Sequence, residues 1–435
     1  RSNRYTTHLN AQSYLESCDP NAIMFTIGDN DTFPLWYMQE VEGIRTDIKL
    51  VNTSLFATDW YIDQMKRATY DAPPIPSQLK HDDYKYGSLD AAYYFEELFP
   101  TLKDSVLSIN EYMQWIESKN KVTFYDIDGD GNEEKVLPTR KIRIPVNKEN
   151  VLEYGIVAAK DADKIVDYID IDLPKSALPK NRLLMLDLLA NNDWKRPLYF
   201  SGGSFEAGEY LWMKDYLQLD GLAYKLVPIK TKYESVFEMG RIDTETMTDI
   251  VKSWEWGNSG DPEVYIDTQT RVQGLSFRSN LARLTETLIG ENKLSEAKEI
   301  LDIGMKNMPL KGFDYYNFVV PFIEGYYAVG APEEARGIFQ ELKNIYQDHL
   351  NYYAAMDITD QYNSIQNIIE NLEGYRRILD VLSIGDSPEI TQEERLEFEV
   401  FMDKFSHFYE GAEEENNRFE AAHSNETILL DSLLE

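Results

Sequence analysis

The sequence predicts an α/β domain built round a parallel sheet, followed by an all-α repeat domain. Three observations carry this prediction. The first third alternates helical stretches with short apolar runs, giving strand, helix and strand within about thirty residues. An Asp/Gly turn between strand-like runs marks a β-hairpin inserted near residues 120–146. Beyond Arg271 the strand signal disappears and only helical periodicity remains. At 435 residues the chain also exceeds one ordinary core, so two or more domains are expected.

The elements follow in order. Arg4 to Ser17 reads as a helix, and "AIMFTI" (Ala22 to Ile27) is a continuous apolar run of the kind that forms a buried strand. Thr32 to Glu42 reads as a helix with Pro34 in its first turn and Gly43 just past its end. Asp47 to Asn52 is the next strand and Asp59 to Thr69 the next helix, a βαβ unit of Rossmann-like type. Pro73, Pro74 and Pro76 then interrupt regular structure. Ser105 to Ser118 reads as an amphipathic helix with Val106, Ile109, Met113 and Ile116 on one stripe. Helices are expected again at Ala159 to Ile169 and Lys180 to Ala190, and strands at Pro197 to Phe200 and Gly221 to Ile229.

These elements assign residues 1–253 to the α/β domain and 254–270, rich in Gly, Asn, Ser and Pro, to a linker. Residues 271–410 form the helical domain. Leu281 to Pro309 has the build of a tetratricopeptide repeat, with Ala297 at the close helix contact. Ala335 occupies the same place 38 residues later, against ~34 in the standard repeat. Helices are also expected at Tyr362 to Leu382 and Gln392 to Phe408, before an acidic tail at 411–435.

Forty-three Lys and Arg against 76 Asp and Glu leave a formal charge of −33. That field repels nucleic acid and anionic lipid surfaces, so nucleic acid is excluded as a partner. The single Cys18 allows no internal disulfide and no CxxC site. No run reaches the ~18 apolar residues of a membrane span. The opening, already helical and without an initiator Met or signal-peptide pattern, reads as part of something larger.

In an open parallel sheet, ligands bind beyond the carboxyl ends of the strands. Three such ends supply the candidate ligand-binding residues. After the first strand come Asp29, Asn30 and Asp31; after the second, Asn52 and Ser54, with Asp59 beyond; after the third, Ser201, Gly202, Gly203 and Ser204. A bare phosphate site does not fit, because GxGxxG and the Walker loop are absent and two aspartates repel phosphate. Vicinal sugar hydroxyls suit Asp and Asn, and Trp36, Tyr37, Trp60 and Tyr61 could stack on sugar rings. The Asp-x-Asp of Asp29 and Asp31 also matches a metal-dependent hydrolase or transferase, in the manner of the haloacid-dehalogenase phosphatases, although Thr32 follows one position too early. The same residues serve a helix cap equally well, Asp31 or Thr32 at its start.

A second acidic group lies in "DIDGDGNEE". Asp126, Asp128, Asp130, Asn132 and Glu134 match the odd positions of a calcium loop, with Gly131 at its sixth. Leu137 stands where an EF-hand needs its bidentate Glu, and the flanks are strand-like. The alternatives are a calcium-bound hairpin and a solvated Asp/Gly turn. Calcium is therefore the one candidate cofactor. The five histidines form no ligand spacing, and no serine sits in a GxSxG elbow.

Three blocks together, "GDNDTFPLWYMQEVEGIRTDIKLVNTSL", "NRLLMLDLLANNDWKRPLYFSGGS" and "YLQLDGLAYKLVPI", resemble the C-terminal soluble region of a family of Bacteroidota multi-pass membrane proteins. The N-terminal half of those proteins is a domain of unknown function similar to a protein O-mannosyltransferase, of the membrane-embedded glycosyltransferase class. The resemblance covers most of Arg1 to about Ile229. It implies the periplasmic, extracytoplasmic portion of an inner-membrane protein, partnered by its own N-terminal membrane domain. It carries over no catalytic residue, because in that class the catalytic acid lies in the membrane half.

The expected function is an accessory domain of a glycosyltransferase-like protein that binds or positions a glycan or acceptor protein. Two alternatives stand beside it. One is the metal-dependent hydrolase or transferase using Asp29 and Asp31; the other is a tetratricopeptide-type scaffold that only binds proteins.

Overall fold

The computed structural model describes residues 5–173, 177–202, 210, 212–233 and 235–408. It consists of two compact units, residues 1–287 with 306–308 and residues 288–305 with 309–435. The first is mixed α/β and the second helical, as the sequence predicts.

Among the described residues, twelve strands run through the first unit: β1 Ile23–Thr26, β2 Lys49–Asn52, β3 Ala91–Tyr94, β4 Val106–Ser108, β5 Phe124–Tyr125, β6 Glu134–Leu137, β7 Lys141–Pro145, β8 Tyr168–Asp172, β9 Ala177–Pro179, β10 Leu198–Ser201, β11 Leu217–Asp220 and β12 Ala223–Leu226. The principal sheet has the order β11-β12-β10-β1-β2. β10, β1 and β2 are parallel, and β12 and β11 add an antiparallel hairpin beyond β10. The expected parallel sheet is thus a parallel core with an antiparallel edge. All four residues of β1, β2 and β10 are buried; β1 and β10 are mainly apolar, whereas β2 also buries Lys49 and Asn52 at its two ends.

One face of this sheet packs on α1 (Thr6–Glu16) and α2 (Gly28–Glu40), through Ala11, Leu15, Leu35 and Met38 against Met24, Leu50 and Tyr199. Phe25 stacks on Phe200 with ring centroids 5.4 Å apart and meets Phe56 at 6.4 Å. α3 (Asp59–Met65) follows β2 through a single 3-10 turn. The inserted hairpin is present as β5 and β6, joined into a four-stranded sheet of order β5-β6-β3-β9. A third sheet, β4-β7-β8, completes the unit.

Three boundaries differ from the sequence reading. α2 begins at Gly28 rather than Thr32, because Gly28 takes φ +72° and turns the chain sharply out of β1. Val106–Ser108 is a strand, so the amphipathic helix starts only at Ile109, capped by Ser108, whose hydroxyl accepts the Glu111 amide. The helix expected at Ala159 to Ile169 is a 3-10 turn, Ala159–Lys164, followed by β8, where Ile169 and Ile171 are buried between exposed neighbours.

The segment 254–270, read as a linker, belongs to the first unit, and Trp254 packs edge-on against Phe277 at 5.1 Å. In the second unit, helices Leu294–Asn307 and Pro332–Ala354 carry Ala297 and Ala335, both fully buried. Pro332–Ala354 packs on Val320–Ala328 and Ile365–Gly385. Tyr346 and Tyr375 stack at 6.4 Å, and Lys343 pairs with Glu394 at 2.8 Å. Among the described residues, no helix is long and apolar enough to cross a membrane.

Candidate functional site

The strand order reverses direction at β1: β2 lies to one side and β10 to the other. Such a switch point opens a crevice at the carboxyl ends of the two strands, because the connections leave on opposite sides. A cleft of about 150 Å³ lies there, lined by Asn10 and Tyr14 from α1, Asn30, Asp31 and Pro34 from α2, and Gly202 after β10. Gln269, Gln273 and Ser276, on the helix Thr268–Gly290, form its remaining wall.

Asp31 is the charged group of this cleft. Ser201 Oγ donates to its carboxylate at 2.9 Å. Burial raises its pKa above the ordinary carboxyl value, and the Ser201 hydroxyl and Ile27 backbone partly offset that rise. Tyr14 is a half-buried phenol whose pKa is also raised, first by desolvation and then by the Asp31 charge. Asn10 brings a buried amide oxygen that meets no partner among the described residues. Pro34 has no N–H, so the Asn30 carbonyl lacks the partner four residues on that a helix normally supplies. A Cβ at Gly202 would make only ordinary contacts, 3.4 Å from the Leu222 carbonyl and 3.7 Å from the Tyr224 ring.

The lining is therefore rich in acceptors and neutral amides. A carboxylate and an unpaired amide oxygen invite donors, and hydroxyl groups supply donors without charge. Among the described residues no Lys or Arg lines the cleft, and the Asp31 carboxylate repels phosphate.

The other predicted residues take different places. Asn52 is buried and fully committed: its Oδ1 accepts the Ser54 and Leu55 amides, and its Nδ2 donates to Thr32 Oγ1 at 2.9 Å. Ser54 is exposed, and Asp59 accepts the Trp60 amide at the start of α3; neither lines the cleft. Gly203 and Ser204 lie outside the described residues. Thr32 does not cap a helix. Its hydroxyl donates to the Gly28 carbonyl at 2.7 Å and shares a 2.6 Å hydrogen bond with Thr26, pinning α2 to β1.

Asp29 and Asp31 both fall in the first turn of α2, where acidic side chains complement the helix dipole. Positions i and i+2 of a helix do not face each other, and Asp29 is exposed while Asp31 turns toward β10. In the hairpin, Asp126 already accepts the amides of Gly129 at 2.7 Å, Asp130 at 3.2 Å and Gly131 at 3.1 Å. Asp130 accepts the Asn132 amide at 2.8 Å, and Glu134 the Ile127 amide at 3.3 Å. Among the described residues, no three His, Cys, Asp or Glu side chains converge as a cation site.

Sequence reasoning missed Asn10, Tyr14 and the glutamines. The one available signal was Asn10 itself, a poor helix former in the middle of α1.

The first unit is thus an α/β domain with a polar cleft at its switch point. The chain belongs to the TMEM260-associated domain 2 family, whose family model matches residues 7–246, and that family is glycosyltransferase-related. No curated protein and no solved structure matches the chain.

Proposed function

We propose that this chain is the extracytoplasmic accessory part of a membrane glycosyltransferase-like protein of Bacteroidota, lying in the periplasm beside an O-mannosyltransferase-like membrane half. The Asp31 cleft holds hydroxyl groups of a glycan or of an acceptor protein, and the helical unit, in tetratricopeptide manner, offers a protein-binding surface. The observation that carries this reading is the meeting of a half-buried carboxylate and an orphaned amide oxygen, Asp31 and Asn10, in one cleft. The family link supports the glycosyltransferase context. Calcium, if it binds, acts at the Asp126 hairpin as a local staple and takes no part in the cleft.

Equilibrium titration with oligosaccharides and with Ser/Thr-containing peptides tests the reading. Saturable binding should weaken about tenfold or more in both Asp31→Asn and Asn10→Ala, the loss of one buried hydrogen bond being worth on the order of 1.5–3 kcal/mol where a charge is involved. Binding that is indifferent to both substitutions places the ligand elsewhere.

A further inference from the structure

A second cavity, of about 300 Å³, lies against the free edge of β2, between α2 and α3. Four rings line it: Trp36, Trp60, Tyr61 and Tyr70. Trp60 and Tyr70 are 56% and 61% exposed, too open to serve as core.

A free strand edge commonly invites a further strand, but this edge is already satisfied. The Tyr61 hydroxyl accepts the Asn52 amide at 2.9 Å and donates to the Leu50 carbonyl at 3.4 Å. Gln39 Nε2 donates to the Ile48 carbonyl at 2.9 Å. An extended peptide therefore finds few backbone groups to pair with.

The walls are braced from several directions. Thr69 and Ala72 exchange backbone hydrogen bonds of 3.0 and 2.9 Å, closing a turn in which Tyr70 takes φ +50°. A bulky residue held in that left-handed region is strained, and such strain concentrates at binding sites. The Tyr70 hydroxyl donates to Glu40, and Thr46 donates to Asp71 at 2.6 Å, so the turn is held to α2 and to the approach to β2.

Lys49 sits at the base. It is 2% exposed, and its ammonium donates to the Arg67 carbonyl at 2.8 Å and the Thr69 hydroxyl at 3.0 Å. Three donors and two partners leave one N–H over. Burial, and then Arg196, lower its pKa to about 8. At the mouth the Gln64 amide is exposed.

We infer that this pocket binds one uncharged pyranose ring, stacked on Trp60 and hydrogen-bonded by Lys49 and Gln64. The volume is at the small end of the ~300–1,000 Å³ span of ligand clefts, room for a single ring. Flat apolar walls with neutral amides and hydroxyls suit a ring that has apolar faces and a hydroxyl rim. Glu40 at the wall and the net charge of −33 disfavour an anionic ligand. The inference does not depend on what the Asp31 cleft binds.

Tryptophan fluorescence and ligand-observed NMR on the 435-residue chain test it, with methyl glycosides of mannose, glucose, galactose and N-acetylglucosamine, a disaccharide, and adenosine as control. At least one glycoside should bind saturably, and Trp60→Ala and Gln64→Ala should each weaken it tenfold or more. Equal affinity for the disaccharide assigns the pocket to a chain end, and loss of affinity assigns it to a free ring. The inference is overturned if no glycoside binds, if adenosine binds better, or if both pocket variants bind as wild type does. Both substituted residues are exposed, and an unchanged unfolding temperature confirms that the variants fold.

Discussion

Ser201 Oγ donates a 2.9 Å hydrogen bond to the Asp31 carboxylate across 170 positions of sequence. That bond joins the end of β10 to the first turn of α2 and holds the carboxylate at the cleft. Because burial raises the Asp31 pKa, the folded state holds the proton more tightly than the unfolded chain does. Stability from this group is lost as pH rises from the ordinary carboxyl value through the raised one. Asp31→Asn should therefore melt at a higher temperature than wild type at pH 7, and the gap should close below pH 4. Thermal unfolding of both proteins across that range checks this; a variant less stable at pH 7 would mean that the charged carboxylate stabilises the fold.

Asp220 gives a larger effect of the same sign. It is fully buried, with a pKa raised to about 6 by burial first, against the lowering effect of Lys225. Tyr199 and Gln218 each donate to it at 2.9 Å. Raising pH from 4 through 6 should cost on the order of 3 kcal/mol from this one group. Asp220→Asn loses that ionisation, so its unfolding free energy should depend less steeply on pH in this window. Denaturant titrations at pH 4.5 and 7 measure the difference.

Tyr61→Phe should destabilise the first unit by about 1–3 kcal/mol, because its hydroxyl satisfies two outward backbone groups of β2. The Asn52 amide should exchange with deuterium faster in the variant. An unchanged exchange rate would show that water replaces the phenol at no cost.

How much of this was legible in the sequence depends on how each residue is buried. β1 and β10 are buried on both faces and read as apolar runs, and Leu50 and Val51 mark β2 although Lys49 and Asn52 are buried beside them. β11, "LQLD", was missed because it buries Gln218 and Asp220, which pattern reading places on the outside. β8 was missed because "AKDADK" before it is rich in helix formers, although the chain there makes only a 3-10 turn. Asp31, Ser201 and Gly202 could be brought together from topology alone, since adjacent parallel strands end on one edge. Asn10 and Gln273 could not, because they reach the cleft from helices whose docking no local pattern specifies.

In the helical unit, Gly374 and Gly385 both lie close against tyrosine rings. A Cβ at Gly374 would come 2.6 Å from the Tyr346 ring, which itself stacks on Tyr375. Gly374→Ala should cost about 1–3 kcal/mol by overpacking, despite the better helix propensity of Ala. Calorimetry should show the loss, and an increase in stability would mean the tyrosine moves aside freely.

At the hairpin, Asp126→Ala should lower stability by about 1 kcal/mol in the presence of chelator, because three amides lose their acceptor whether or not a cation is present. Repeating the melt with millimolar calcium separates the roles. A calcium-dependent rise in wild type that is absent in the variant would make the loop a cation staple; equal curves would leave it an amide-closed turn.

The central claim is that the Asp31 cleft receives a hydroxylated ligand. Its most direct test is backbone-amide NMR of the isotope-labelled chain during titration with oligosaccharides and acceptor-like peptides, repeated with Asn10→Leu. The account predicts saturable shifts centred on Asn30, Asp31, Gly202 and Gln273 that disappear in the variant. Shifts confined to other surfaces, or unaltered by Asn10→Leu, would contradict it.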